Sequence, residues 1–388
     1  MRLRSRRMLT CAVLAGCLAV PATAAAHGGR AGPLRSYGGG YVYLNDNTAG
    51  ANTISGFSRS ADGSLTPLPG SPFAAGGAGL GAGLASQGAI QTTGDGRYVL
   101  AADAGSNQIS VLRIGRNGAL TAVPGSPFSS DGVEPDSITV NRGLVYVANT
   151  GTGGTNYTGF DLTPWGQLIP IRNSTVTLPA GSAPGEVVLN GDNTRLAGMR
   201  VGTSLIDSFW LDWSGRPHAA TGSPYAAQGL GPFGSQFRPT NPDQLFVDNA
   251  HNGTGLGTVS AFEDRPDGTL SAIGGSPFAD FQTAPCWQVI SPDGRYLYAL
   301  DTGSGYISAY GIAPNGTLTL LSNTAVSSTA GVTGTDVALS PDGRTLYLNE
   351  GKINSVAAFA VNGGNVKQLP GSPTPAAGSG TTSGIATS

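Results

Sequence analysis

A unit of about 50 residues recurs seven times between Tyr41 and Tyr347, and no other feature restricts the fold so tightly. The fullest copy runs Ser291-Pro292-Asp293-Gly294-Arg295-Tyr296-Leu297-Tyr298, then Asp301, Ile307-Ser308-Ala309-Tyr310 and Asn315-Gly316-Thr317-Leu318. Aligning the last apolar residue of the Tyr-Leu-Tyr stretch gives Tyr43, Leu100, Tyr146, Ala197, Phe246, Tyr298 and Tyr347. A fixed period means that each unit buries its face on its neighbours. One domain is therefore expected, although length alone suggests two or three.

Four short strands are legible in a unit. Strand A is the apolar run before an Asp-Gly turn, as in Val337-Ala338-Leu339 followed by Ser340-Pro341-Asp342-Gly343. Strand B is exemplified by Thr345-Leu346-Tyr347-Leu348, and strand C by Ser355-Val356-Ala357-Ala358-Phe359. Strand D follows a second Asp-Gly or Asn-Gly turn, as in Gly268-Thr269-Leu270-Ser271. Such a meander repeated radially is a propeller blade. The expected fold is all-β, a single seven-bladed β-propeller of four-stranded antiparallel blades over residues 39–388. With 61 glycines and only 11% charged residues, the composition suits short strands and tight turns. The first unit begins at Gly39-Gly40-Tyr41 with strand B, whereas Ser383 to Ser388 reads as a strand A without a partner. The C-terminal strand is thus expected to complete the first blade and remove exposed edges. Gly-Ser-Pro-Phe or a relative recurs at residues 70–73, 125–128, 222–225 and 275–278, with an echo at 370–373. It is expected between strand D and the next strand A, the proline setting the turn and the aromatic packing between blades.

Residues 1–26 have the pattern of an export signal: arginines from Arg2 to Arg7, an apolar run from Met8 to Val20, and Ala24-Ala25-Ala26 before the expected cleavage point. Residues 27–38 then form a flexible linker. Ser5-Arg6-Arg7-Met8-Leu9 resembles a twin-arginine signal, and Leu14-Ala15-Gly16-Cys17 resembles a lipobox that would lipidate Cys17; ordinary Sec export stays open beside both. Cleavage removes Arg2, Arg4, Arg6 and Arg7 from a chain whose formal net charge is already -2, so nucleic acid is not an expected partner. It also leaves Cys286 alone, without an intramolecular disulfide. No later run is long and apolar enough to span a bilayer, and a secreted monomer is expected.

In a propeller the A-to-B and C-to-D turns share one face, and the B-to-C and D-to-A loops share the other. The repetitive Asp-Gly and Asn-Gly turns occupy the first, which directs attention to the second. Three residues past the strand B register lie Asp46, Asp103, Asn149, Arg200, Asn249, Asp301 and Glu350. Acids and amides there suit loop capping, whereas a guanidinium can grip a carboxylate through two nitrogens. A second row at the start of strand A, nearest the axis, contains Asp136, Ser137, Glu186, Ser235, Trp287 and Asp336. These residues can bind a polar ligand. Alternatively, Glu186 pairs with Arg200 and Asp336 holds backbone amides. His251, in a B-to-C loop, is the better placed of His218 and His251 for proton transfer. Two separated histidines and one cysteine form no recognisable zinc set, and no cofactor is expected.

The Ser-Pro-Asp-Gly-Arg-Tyr-Leu-Tyr, Ile-Ser-Ala-Tyr and Asn-Gly-Thr-Leu segments resemble the lactonase-type, YVTN-repeat seven-bladed propellers, which include 6-phosphogluconolactonases and carboxymuconate-lactonising enzymes. The likeness extends from about Tyr41 to the end. It implies a small lactone or a hydroxy acid as ligand. In an enzyme of that kind the residue pattern gives Arg200 orienting a carboxylate while Glu186 or His251 moves the proton; a propeller without catalysis is expected to bind a small molecule, a glycan or a surface partner. The lactonases carry a His-x-His pair leading into an early strand A, and the matching positions here are Ser86 and Gly88. Two functions therefore stand side by side: a binding propeller using its B-to-C and D-to-A face, and a lactone hydrolase or lactonising enzyme.

Overall fold

A computed structural model describes residues 39–326 and 334–388. The expected export signal of residues 1–26, the expected linker of residues 27–38 and the cysteines Cys11 and Cys17 lie outside the described residues. Seven antiparallel sheets form a ring of blades, each ordered A-B-C-D from the axis outward. The strands A are Ile385–Thr387, Ile90–Thr92, Pro135–Asn141, Pro184–Leu189, Pro232–Arg238, Pro285–Ile290 and Val337–Leu339 for blades 1 to 7. The ring closes as expected. Ile385–Thr387 pairs with Gly40–Asn45, placing Val42 opposite Thr387 and Leu44 opposite Ile385.

Strand B is buried from end to end in several blades, including Tyr98–Asp103, because both faces of a blade are covered by neighbours. Its alternate residues feed different junctions. Tyr43 packs with Val99 and Leu112 of blade 2, while Val42 and Leu44 pack with Tyr347 and Val356 of blade 7. The remaining junctions are filled by five further apolar clusters. The repeated tyrosines also explain themselves. Tyr43 donates its hydroxyl hydrogen to the Gly118 carbonyl at 2.8 Å, Tyr146 to Gly215 at 2.6 Å, Tyr298 to Gly363 at 2.9 Å and Tyr347 to Gly63 at 2.8 Å. Each bond reaches the C-to-D turn of the next blade, so one tyrosine contributes apolar area and a polar link between blades.

The Gly-Ser-Pro motif sits elsewhere than expected. It lies inside strand D and breaks that strand in two, with both halves hydrogen-bonded to the same strand C. In blade 4, Pro217–Ala219 pairs with Phe209 to Leu211, and Tyr225–Ala226 pairs with Leu205 and Ile206. At the break a serine hydroxyl replaces the missing main-chain acceptor. The amide N–H of Gly56, Val111, Gly159, Ser208, Ala261 and Ala358 donates to Ser71, Ser126, Ser174, Ser223, Ser276 and Ser372 respectively, at 2.7 to 3.0 Å. Blade 3 keeps the break and the serine in Asn173-Ser174-Thr175 without the glycine and proline, whereas blade 6 has neither and its strand D, Leu318–Ala325, is continuous. Burial of a strand C amide demands an acceptor, and the two solutions meet the same demand.

Candidate functional site

The strand B row is a set of clips between strands B and C. Asp103 accepts the Ser110 hydroxyl hydrogen at 2.5 Å, Asn149 donates to Asn156 at 2.9 Å, and Asp301 accepts from Ser308 at 2.6 Å, each partner lying seven residues on. Glu350 accepts from Ser355 at 2.8 Å. Arg200 belongs to the same series with reversed polarity: its Nε and Nη2 donate to Asp207 at 2.6 and 2.5 Å, again seven residues on. The pair is buried, so the guanidinium fork is already filled by a carboxylate of its own blade. Arg200 does not pair with Glu186.

The strands A enclose an axial cavity of about 400 Å³, lined from Gln87, Glu186, Ser235 and Gln288 at its inner end to Asn190, Gly191 and Pro239 at the A-to-B turns. Glu186 is the only acid and Arg238 the only base among its described lining residues. Arg238 is committed to structure, donating to the carbonyls of Gly294 and Ala313 and to Gln244 Oε1 at 2.7 to 2.9 Å. Glu186 accepts the Ser235 hydroxyl hydrogen at 2.7 Å, and burial holds its carboxyl well above the usual range. The Ser235 hydrogen bond opposes that rise, while the charges of Asp336 and Asp248 add to it. Burial therefore favours the protonated form of Glu186, and the other charged group of the described cavity wall is the engaged Arg238.

A length of main chain crosses the channel above Glu186. The Gln87 amide N–H donates to the Gly185 carbonyl of blade 4 at 3.0 Å. Its side chain forms a two-way clasp with blade 6, donating to the Gln288 carbonyl at 3.0 Å and accepting the Gln288 amide N–H at 2.9 Å. Trp287 donates its indole N–H to the Ser86 carbonyl at 2.8 Å and packs edge-on against Phe233. Ser86 donates to the main-chain carbonyl of Asp136 at 2.6 Å, and the Gly88 carbonyl accepts from the Ile138 amide at 2.9 Å. Ser86 to Gly88 thus ties blades 3, 4 and 6 together and plugs the channel towards the D-to-A loops. The plug occupies the positions where the family resemblance places a His-x-His pair. It comes from the long Gly-rich stretch of residues 75–89. That extra length was the available sequence signal, but it does not reveal where the chain goes.

The remaining candidates are dispersed. Ser137 accepts the Val187 amide N–H at 3.2 Å and is a stitch between blades 3 and 4. Asp136 is buried with Oδ1 unpartnered, and burial raises its carboxyl well above the normal range. Asp336 accepts the amides of Val337 and Ile385 at 2.8 and 3.1 Å, stitching blade 7 to blade 1, and burial pushes it up to about 7. His251 is exposed in its B-to-C loop, and its main-chain N–H donates to Leu230 at 2.9 Å. Neither Arg200 nor His251 lines the axial cavity with Glu186. Burial raises the Cys286 thiol to about 12, which leaves it protonated and a poor nucleophile. Among the described residues no group of three or more His, Cys, Asp or Glu is placed to hold a metal ion, and no helix is long and apolar enough to cross a membrane.

The family model described as Lactonase, 7-bladed beta-propeller matches residues 247–380. Among solved structures, a candidate 6-phosphogluconolactonase from Bacteroides fragilis superposes with a TM-score of 0.71 at 19% identity, covering 92% of this chain and 100% of that one. Over residues 247–380 this chain is similar to the lactonase-type propellers, and its fold is a seven-bladed propeller. The Pseudomonas aeruginosa periplasmic gluconolactonase PpgL superposes on the propeller with a TM-score of 0.68 at 17% identity, covering 90% of this chain and 99% of its own. No curated protein sequence matches significantly. At these identities the structural likenesses establish the fold alone. What distinguishes this propeller is local: the Ser86 to Gly88 plug, the closed Arg200–Asp207 pair and a cavity with a single carboxyl among its described lining residues.

Proposed function

We propose that the protein is an exported binding propeller whose axial cavity takes a small, neutral, polyhydroxylated molecule such as a sugar or sugar lactone. The observation that carries this reading is the lining itself. Amides and hydroxyls from Gln87, Gln91, Asn141, Asn190 and Ser235 share the lining with one carboxyl whose protonated form burial favours, and the volume of about 400 Å³ suits a monosaccharide-sized guest. The plug supports access from the A-to-B turn side, opposite the B-to-C and D-to-A face suggested by the repeat pattern. Arg200 is unavailable to a substrate carboxylate, which favours binding over catalysis. The pattern of residues 1–26 supports export, by the Sec or twin-arginine route or with a lipid on Cys17.

Lactone hydrolysis is a second reading, favoured by Glu186 alone: a protonated carboxyl on the cavity wall can donate to a departing ring oxygen. Calorimetric titration of residues 27–388 with glucose, gluconate and glucono-1,5-lactone, run beside a pH-stat assay on the lactone, separates the two. Saturable binding of the neutral ligands without turnover supports the binder, with Glu186→Ala weakening binding roughly fivefold through loss of one hydrogen bond. Turnover that vanishes in a Glu186→Gln variant of matched thermal stability replaces it with the hydrolase. Absence of both binding and turnover sinks both readings.

A further inference from the structure

Two of the four tryptophans stand in solvent on the face to which the axial cavity opens. Trp165 is 71% exposed and Trp213 is 95% exposed, and they occupy the C-to-D turns of the adjacent blades 3 and 4. Those turns share one design across six blades: the N–H of the closing glycine donates to the carbonyl three residues back, as in Gly118 to Gly115, Gly166 to Thr163 and Gly215 to Asp212. In blades 1, 2, 5 and 6 the residue before the glycine is Asp62, Asn117, Asp267 or Asn315, and its Oδ1 accepts a following backbone N–H. Trp165 occupies that position in blade 3 and forfeits the bond. Trp213 stands one place earlier, where other blades carry Ala61, Arg116, Pro266 or Pro314. Turn geometry therefore requires neither indole, and packing uses little of either.

The turn that carries each tryptophan borders a groove between blades. Trp213 forms part of one of about 760 Å³ between blades 3 and 4, and the Pro164-Trp165 turn flanks one of about 520 Å³ between blades 2 and 3. The grooves share Arg142, Gly143 and Leu162, so they are contiguous around the ring. Arg142 is exposed at a positive φ of 47°, and among the described residues neither its guanidinium nor the Asp161 carboxylate of the same groove has a hydrogen-bond or ion-pair partner. The blade 3–4 groove carries Asp161, Asp192 and Asp212 against Arg142 alone. The blade 2–3 groove sets Asp95 against Arg97 and Arg142, so the two grooves together carry four aspartates and two arginines, a balance that disfavours phosphate and carboxylate polymers and anionic membranes. Indole faces beside unpaired hydrogen-bonding groups match the alternating apolar and hydroxyl-bearing surfaces of sugar rings.

We infer that the Trp165 and Trp213 face is a binding platform for a neutral polysaccharide, with sugar rings stacking on the two indoles and hydroxyls bonding to Arg142 and Asp161. The indoles lie outside the axial cavity, which meets the blade 2–3 groove at Val140 and Asn141, and the inference does not depend on what the cavity holds.

The test is retention of residues 27–388 on insoluble cellulose, chitin and xylan, with mobility in gels containing hydroxyethylcellulose. Variants are Trp165→Asn, which restores the turn residue of other blades, Trp213→Ala, and both together. The parent protein is expected to be retained on at least one matrix, each single substitution weakening retention roughly tenfold and the double variant abolishing it, with unchanged melting temperature. No retention on any of these matrices overturns the inference, as does retention that the double variant keeps. Binding to phosphatidylcholine vesicles instead, lost in the double variant, makes the indoles membrane anchors and overturns it equally.

Discussion

At the B-to-C junction of blade 4, Arg200 faces Asp207 where blades 2 and 6 place an aspartate opposite a serine. Arg200→Ala leaves Asp207 buried without its partner, and a loss of about 3–5 kcal/mol is expected in urea denaturation. Arg200→Asp combined with Asp207→Ser rebuilds the clip of the neighbouring blades and should recover most of that loss, a result that a catalytic arginine would not predict. Asp248 presents the opposite case. Both its carboxylate oxygens are buried without a hydrogen-bond partner, and burial, reinforced by the charge of Asp280, holds its carboxyl well above the ordinary aspartate range. A group whose folded value lies above its unfolded one stabilises fully below the unfolded value, and that stability is lost as pH rises towards the folded one. Asp248→Asn should therefore raise stability more at pH 8 than at pH 5, read from urea midpoints at the two pH values. Equal effects at both pH values would show that Asp248 does not titrate in this window.

Among the elements, the broken strand D shows how a sequence motif can be visible and still be misplaced. Gly-Ser-Pro reads as a turn between strands because proline and glycine punctuate the chain. It is instead an interruption within one strand, since Ser223 supplies from its side chain the acceptor that the Ser208 amide would otherwise find in a main-chain carbonyl. A hydroxyl doing the work of a carbonyl leaves no periodic trace. Ser223→Ala removes the acceptor and leaves a buried N–H, so a cost of about 1–3 kcal/mol is expected by chemical denaturation. Restoration towards the parent value by Ser223→Thr would tie the loss to the hydroxyl.

Across the whole molecule, stability depends on closing the ring. Ile385–Thr387 supplies strand A of blade 1, and Thr387 is bonded on both sides: its carbonyl accepts from Thr92 and its hydroxyl donates to Leu339, each at 2.6 Å. Deleting residues 385–388 is expected to lower the melting temperature by about 10 °C or more, far beyond what removal of an ordinary tail does. The buried acids set a global pH dependence as well. Burial raises Asp46 and Asp103 to about 6, Asp336 to about 7 and Asp264 to about 8, against an unperturbed 3.8. Their contribution is complete below about pH 4 and falls away as pH rises through 6 to 8. Asp212 and Asp342 are held below their ordinary value and act in the other direction at lower pH. Urea midpoints are therefore expected to be highest near pH 5 and to decline by pH 8; a flat profile over that range would contradict the burial of these acids.

The blade count, the strand order and the closing strand were legible in the chain because they follow from local period and from the need of each unit to cover its neighbour. The positions of the strand B row were legible for the same reason, and the fate of Arg200 could have been read from the seven-residue spacing to Asp207. The inner site was not. Its wall is assembled from strands about 50 residues apart, and its plug depends on hydrogen bonds between Ser86 or Gln87 and Trp287 or Gln288, 201 residues away in sequence. Only the closed ring brings those groups together, and only the path of the Gly-rich segment decides which end of the channel stays open.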